Sequence, residues 1–206
     1  MRVLIVNTSE KTGGAAVAAN RLMEALNNNG VKAKMLVRDK ATENITIASL
    51  PHSPLLQWHF LWERWRAFWH LHFSSVHLWE IDLACAGSDI TNLREFKEAD
   101  VIHLSWINQG MLSLKSIRKI IKSGKPIVWT MHDIWPATGI CHYARGCNRY
   151  ASACGNCPLL PHKGSKHDIS NKVFRRKKEL YQQSNIYFVT CSKWLERQAK
   201  KSALFT

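Results

Sequence analysis

Three groups of residues in this chain have types and spacings that could do chemistry. The first is His132-Asp133, which follows directly on the apolar run Ile127-Val128-Trp129-Thr130-Met131. In an open α/β sheet, ligands sit in the crevice beyond the carboxyl ends of the strands, so this pair stands where chemistry would be placed. A neutral imidazole there can hold a substrate hydroxyl; the plainer reading is a histidine that satisfies local backbone groups. The second group is Cys141, Cys147, Cys154 and Cys157, in the spacing C-x5-C-x6-C-x2-C. Four thiols closing on a Cys-x-x-Cys knuckle are enough for a tetrahedral structural zinc site, with His142 as a substitute ligand. The segment holds little apolar content beyond Ala144, Tyr150, Ala151 and Ala153, and a metal would supply the missing stabilisation. Disulfides and unbridged buried thiols are the alternatives. The third group is Gly13-Gly14, whose backbone N–H groups at a helix start could approach a phosphate or a hydroxyl. A tight strand-to-helix turn explains the pair equally, and it is not the GxGxxG dinucleotide fingerprint.

The elements that must position these groups read as alternating strands and helices. Arg2–Asn7 is an apolar strand, Ala15–Leu26 is helix-prone with helical apolar spacing, and Lys32–Val37 alternates as a second strand. Strand, glycine loop, helix, strand opens a Rossmann-type unit. Further strands are expected at Asn44–Ala48, Val101–Trp106, Ile127–Met131 and Ile186–Thr190. Further helices are expected at Leu112–Ser123, Ser170–Gln183 and Lys193–Lys201, the last capped by Ser192. The run Arg175-Arg176-Lys177-Lys178 reads as a solvated face, and Cys85 as a small buried hydrophobe. The predicted architecture is α/β, a Rossmann-like parallel sheet with helices on both faces and a cysteine-rich loop.

At 206 residues, 46% hydrophobic and 21% charged, the chain reads as one domain with a sizeable core. No signal-peptide pattern opens it and no run of about 18 apolar residues occurs, so a cytoplasmic, reducing compartment is expected. The formal net charge of +14 favours an anionic partner: a nucleic acid, a phosphate-bearing substrate or an anionic membrane. Nine tryptophans are unusual, and Trp58, Trp62, Trp65 and Trp69 fall three to four residues apart. On a helix they form one stripe, interrupted or flanked by Arg64, Arg66, His59, His70 and His72. Such a stripe suits either the domain core or a membrane–water interface, where rings sit among headgroups and cations meet phosphates.

Four segments carry a resemblance: RVLIVNTSEKTGGAAVAANRL, ADVIHLSWINQGMLSLKSI, GKPIVWTMHDIWPATGICHY and FVTCSKWLERQAKKSALF. Together they cover nearly the whole chain, and it resembles the N-terminal domain of family 4 glycosyltransferases of the GT-B fold. The likeness is greatest to bacterial enzymes of capsular, colanic-acid or O-antigen polysaccharide assembly. The resemblance implies residues 1–206 as a single acceptor-side domain, with the donor-binding C-terminal domain absent from this chain. It implies hexosyl transfer from a nucleotide-sugar to a lipid-linked glycan acceptor, with retention and without a catalytic metal, at the inner face of the cytoplasmic membrane. This chain alone is then expected to be inactive. By family analogy, His132 and Asp133 line the reacting centre, and Gly13, Gly14, His103, Thr138 and Gly139 bind substrate. Ser105 stands where the family commonly has a second histidine. The competing reading is a zinc-stabilised nucleic-acid-binding protein, although the cysteine segment lacks a helix of its own to enter a groove. A stand-alone hydrolase using His132-Asp133 ranks last, for want of a GxSxG elbow.

Overall fold

The computed structural model describes residues 1–182 and 184–205. Gln183, the last residue of one predicted helix, and Thr206 lie outside the described residues. Six parallel strands form one sheet in the order β3-β2-β1-β4-β5-β6. The strands are β1 (Arg2–Ser9), β2 (Lys32–Asp39), β3 (Ile47–Ser49), β4 (Val101–Leu104), β5 (Ile127–Met131) and β6 (Ile186–Thr190). The helices are α1 (Gly14–Asn28), α2 (Pro54–His70), α3 (Arg94–Glu98), α4 (Leu114–Lys122), α5 (Ile169–Gln182) and α6 (Lys193–Ala199).

Alternation along the strands sends side chains to two faces. Val3, Ile5, Ala33, Met35 and Val37 pack against Ala19 and Met23 of α1. Leu4, Val6, Ile102, Leu104 and Trp129 face the other way, onto Ile117 and Ile120 of α4, Phe174 of α5 and Leu195 of α6. Chain progress runs outward from β1 in one direction through β2 and β3, and in the other through β4, β5 and β6. The strand order therefore reverses between β1 and β4, which is where an open α/β sheet offers its crevice.

Helix α2 is attached by polar groups. Its inner face buries Glu63, Arg64 and Ala67. The Glu63 carboxylate accepts the successive backbone N–H groups of Leu83, Ala84, Cys85 and Ala86. Arg64 donates to the Leu78 and Ile81 carbonyls and pairs with Asp82 at 3.0 Å. Asp82 in turn accepts the backbone N–H of Gln109, tying α2 to the loop after β4. Burial and the neighbouring Asp82 charge push Glu63 up to about 7. Cys85 is exposed, contrary to the sequence expectation: it sits in this loop and on no buried strand or helix face, although its thiol donates to Glu63.

With its inner face so engaged, α2 presents its tryptophans to solvent: Trp58, Trp62, Trp65 and Trp69 are 63%, 46%, 46% and 53% exposed. Trp62 stacks on Trp65 at 5.1 Å, Trp65 lies 5.7 Å from Trp69, and Trp69 meets Phe73 edge-on. The stripe is a surface and not core.

The segment between β5 and α5 is irregular, with 3-10 turns at Trp135–Ala137, Arg149–Ala151 and Pro161–Lys163. Its apolar anchorage is greater than the cysteine stretch alone suggested. Ile140, Cys157, Leu159 and Leu160 pack with Ala67, Leu71, Ile81 and Val173, and Tyr150 enters the main core. Lys177, expected on a solvated face, is fully buried. Its ammonium donates to the carbonyls of Trp135 and Thr138 and lies 3.2 Å from the centre of the Trp135 ring. Arg175 and Arg176 beside it are exposed, as expected.

Candidate functional site

A cleft opens at the reversal point. Its floor comes from the ends of β1 and β2, the start of α1, and the loops after β4 and β5. Asn7, Thr8 and Ser9 line it from β1, Gly13 and Gly14 from α1, and His132 and Asp133 from the loop after β5. Trp79, Trp106 and Tyr143 add aromatic surface around it. Trp79 and Tyr143 are largely exposed, which suits flat contact with a ligand.

The loop between β1 and α1 has one conformational demand. Gly13 sits at φ +86°, a backbone region that residues with a Cβ rarely adopt, and it forms the N-cap of α1. Val17 N–H donates to the Gly13 carbonyl, so the amides of the first turn point toward the cleft without intrahelical partners. A 15-residue helix with no acidic residue in its first turn presents the positive end of its dipole there.

His132 shares a 2.9 Å hydrogen bond between its Nε2 and Ser105 Oγ. Ser105, at the end of β4, thus orients the histidine from the neighbouring strand. Burial holds His132 below the ordinary histidine range, against the opposing pull of Asp133, so its imidazole is neutral at pH 7.

Asp133 is held by three donors. Its Oδ1 accepts the Trp135 backbone N–H at 2.8 Å; its Oδ2 accepts His142 Nδ1–H at 2.8 Å and Trp106 Nε1–H at 3.0 Å. Burial alone would raise its pKa, but these hydrogen bonds outweigh it and hold the carboxyl below the usual carboxylate range. The carboxylate therefore acts first as an anchor, fixing an indole and an imidazole on the cleft wall. His142 was the sequence's substitute zinc ligand. Its geometry makes it Asp133's partner instead, fixed by its own N–H to the Glu80 carbonyl and the adjacent Ile81–Cys141 bridge.

The remaining expected site residues stand elsewhere. His103 is 7% exposed and bonds through Nε2 to Thr130 Oγ1; burial first, then the neighbouring His132, lowers it to about 4. Thr138 is buried, its hydroxyl donating to the Cys141 carbonyl. Gly139 is required by packing, since a Cβ there would lie 2.4 Å from the Ser170 carbonyl oxygen. None of the three lines the cleft.

Cys141, Cys147, Cys154 and Cys157 do converge, around a small apolar hollow with Tyr150 and Leu159. All four are free thiols. Burial raises Cys141 to about 11 and Cys154 to about 12, so both are protonated at neutral pH. Among the described residues, no three His, Cys, Asp or Glu side chains are placed to hold a metal ion. The zinc reading thus gains no support, and the apolar anchorage described above removes the need that motivated it.

Sequence reasoning missed Ser105, Trp106 and His142 as partners of His132 and Asp133. Two of the three lie just past the end of β4, where any strand-end polar residue of a parallel sheet is a candidate.

No protein-family model matches the chain. Over 90 residues the chain is 31% identical to WcaC of Escherichia coli (strain K12), named as a colanic acid biosynthesis glycosyl transferase. The aligned stretch covers 40% of this chain and 22% of that protein, so the chain matches about a fifth of the relative's length. Together with the parallel α/β sheet, this likeness supports a relationship to glycosyltransferases.

Proposed function

We propose that the chain is the acceptor-side domain of a glycosyltransferase of surface polysaccharide assembly, moving a sugar from a nucleotide-sugar to a lipid-linked glycan. The observation that carries this reading is the cleft at the β1–β4 reversal, which combines a helix N-terminus, a neutral histidine and aromatic walls. A sugar ring places its C–H faces against aromatic side chains and its hydroxyls against polar groups. The α1 amides would meet a diphosphate. His132 would hold a hydroxyl of the transferred sugar.

No Lys or Arg lines this cleft among the described residues. A nucleic-acid groove needs cations along its length, so the net charge of +14 does not favour that alternative at this site. The same lack means that the α1 amides alone would face a leaving diphosphate. We assign the missing cations to a donor-binding domain beyond this chain.

The exposed tryptophan row completes the proposal. No helix is long and apolar enough to cross a membrane. The one acidic residue of α2, Glu63, is turned inward, which leaves the row free of exposed negative charge. Trp79 lines the cleft and lies 6.4 Å from Phe60 on the inner side of α2, so the helix that carries the row outward also backs the cleft wall. Docking of this face on an anionic bilayer, on the cytoplasmic side, would hold the domain at the surface that carries a lipid-linked acceptor.

The test is sugar transfer by the protein as its gene encodes it. Labelled uridine and guanosine diphosphate sugars are incubated with membranes of the source cells. Label passing from at least one donor into lipid-extractable glycan is the expected result. Label that stays with every donor would overturn the proposal.

A further inference from the structure

The cleft holds two histidines of different standing. His132 is bonded to a serine hydroxyl, which can donate or accept and so leaves the tautomer open. His142 is bonded to a carboxylate that can only accept. Its Nδ1 therefore carries a proton, and in the neutral ring its Nε2 presents a lone pair. No described residue hydrogen-bonds that Nε2, and it is not among the buried atoms left without a partner. The nitrogen therefore reaches the solvent of the cleft that His142 lines. The imidazole lies 5.8 Å from the Trp106 indole at 32°, and Asp133 Oδ2 holds both rings. The side chain itself is only 7% exposed, so it has little freedom to turn away.

We infer that His142 is a substrate-contacting residue: its Nε2 accepts a hydrogen bond from one hydroxyl of a sugar ring bound in the cleft, and Asp133 is the positioning residue that fixes the ring and places the proton of its neutral form on Nδ1. The ligand class follows from the surroundings. A single fixed acceptor beside the exposed faces of Trp79 and Tyr143 matches a pyranose with an apolar face and a hydroxyl at its edge. A ligand offering only acceptors, such as a phosphate oxygen, would meet lone pair against lone pair at the Nε2 of the neutral ring. His142 thereby selects for a hydroxyl at one ring position, independently of the diphosphate contact at α1. This inference rests on the reading of the cleft as a sugar site.

Two substitutions separate the role from mere support of the fold. His142→Asn keeps an amide N–H to donate to Asp133 but has nothing at the Nε2 position. Asp133→Asn can present its own amide N–H to Nδ1, which makes Nε2 a donor. The probes are the methyl glycosides of glucose, galactose, mannose and fucose with their monodeoxy and deoxyfluoro forms, followed by ligand-observed NMR on the full chain. The native protein is expected to bind at least one glycoside and to lose about tenfold in affinity when one particular hydroxyl is removed. In His142→Asn that difference should vanish while its melting temperature stays close to native. In Asp133→Asn the Nε2–H can still bond that hydroxyl, but the deoxyfluoro form, whose fluorine only accepts, should bind better relative to the deoxy form than it does in the native protein. Discrimination that survives intact in His142→Asn would overturn the inference and leave the sugar-site reading standing. Failure of every glycoside to bind the native chain would overturn it as well. Label transfer then remains as the separate test of glycosyl transfer. Should His142→Asn not fold, Asp133→Asn alone decides, and a deoxyfluoro-to-deoxy ratio there equal to the native one refutes the role.

Discussion

Replacing Asp133 by asparagine tests how far one carboxylate organises the cleft. The side chain is 13% exposed and accepts three hydrogen bonds, from Trp135 N–H, His142 Nδ1–H and Trp106 Nε1–H. Asparagine offers one oxygen, which can stay with Trp135, and one NH2, which lands where Oδ2 was. There it opposes the Trp106 N–H, donor against donor, and forces His142 to take the other tautomer. One hydrogen bond to an ion is lost outright, at about 1.5–3 kcal/mol, and another loses its charge assistance. The expected cost is about 2–4 kcal/mol, or about 4–16 °C in melting temperature for a domain of this size. That is within the stability of an ordinary domain, so the variant should fold. The pH dependence has a fixed sign. The folded pKa of Asp133 lies below its unfolded value, so its contribution is present above the ordinary carboxylate range and is lost as pH falls through the folded value. The gap between native and variant should accordingly be widest near neutrality and close in acid. Thermal unfolding from pH 7 down to pH 3 reads both effects. A melting temperature within about 2 °C of native at pH 7 would refute the anchoring role.

Lys177 is fully buried and its pKa is lowered to about 7 by burial, so between that value and the ordinary lysine range the unfolded chain binds more protons than the folded one. Native stability measured relative to Lys177→Met by urea unfolding should therefore rise from pH 7 to about pH 10. The raised thiols of Cys141 and Cys154 act in the opposite sense in both proteins, and Lys177 itself moderates them in the native one. A flat difference would show that the ammonium is not desolvated as described. Gly139→Ala should destabilise by about 1–3 kcal/mol, because its Cβ would meet the Ser170 carbonyl at 2.4 Å. Gly14→Ala meets nothing within 4 Å and should be neutral or stabilising by up to about 1 kcal/mol. Equal melting temperatures for the two would count against the packing of the loop on α5. Changing Trp62, Trp65 and Trp69 together to serine should abolish sedimentation with phosphatidylglycerol vesicles while leaving the far-ultraviolet circular dichroism unchanged. Retained sedimentation would move the docking surface elsewhere.

The parallel sheet was legible because its strands are short apolar runs bounded by polar loops, and β5 and β6 fall where those runs do. His132 was legible for the same reason, as the first polar residue past β5. Its companions were not. The His142–Asp133 contact depends on residues 140–142 pairing with 80–82, a bridge between segments some 60 positions apart that no local pattern announces. Lys177 was hidden by its neighbours, since a four-residue basic run reads as solvated. The signal was nevertheless present: Ser170, Val173, Phe174, Lys177, Leu180 and Tyr181 fall on one helical stripe, and that stripe is the buried face of α5. The tryptophan stripe of α2 left two readings open, and the inward Glu63 and Arg64 remove the core reading. A helix whose opposite face is occupied by a polar network cannot also bury its aromatics.

The most direct test of the account is a comparison of native protein and His132→Ala in the label-transfer assay, in the form that the gene encodes. Transfer by the native protein and a loss of about a hundredfold in the variant, with an unchanged melting temperature, is the expected result. Equal transfer by the two would contradict it, because the cleft at the β1–β4 reversal would then not be where the sugar is held.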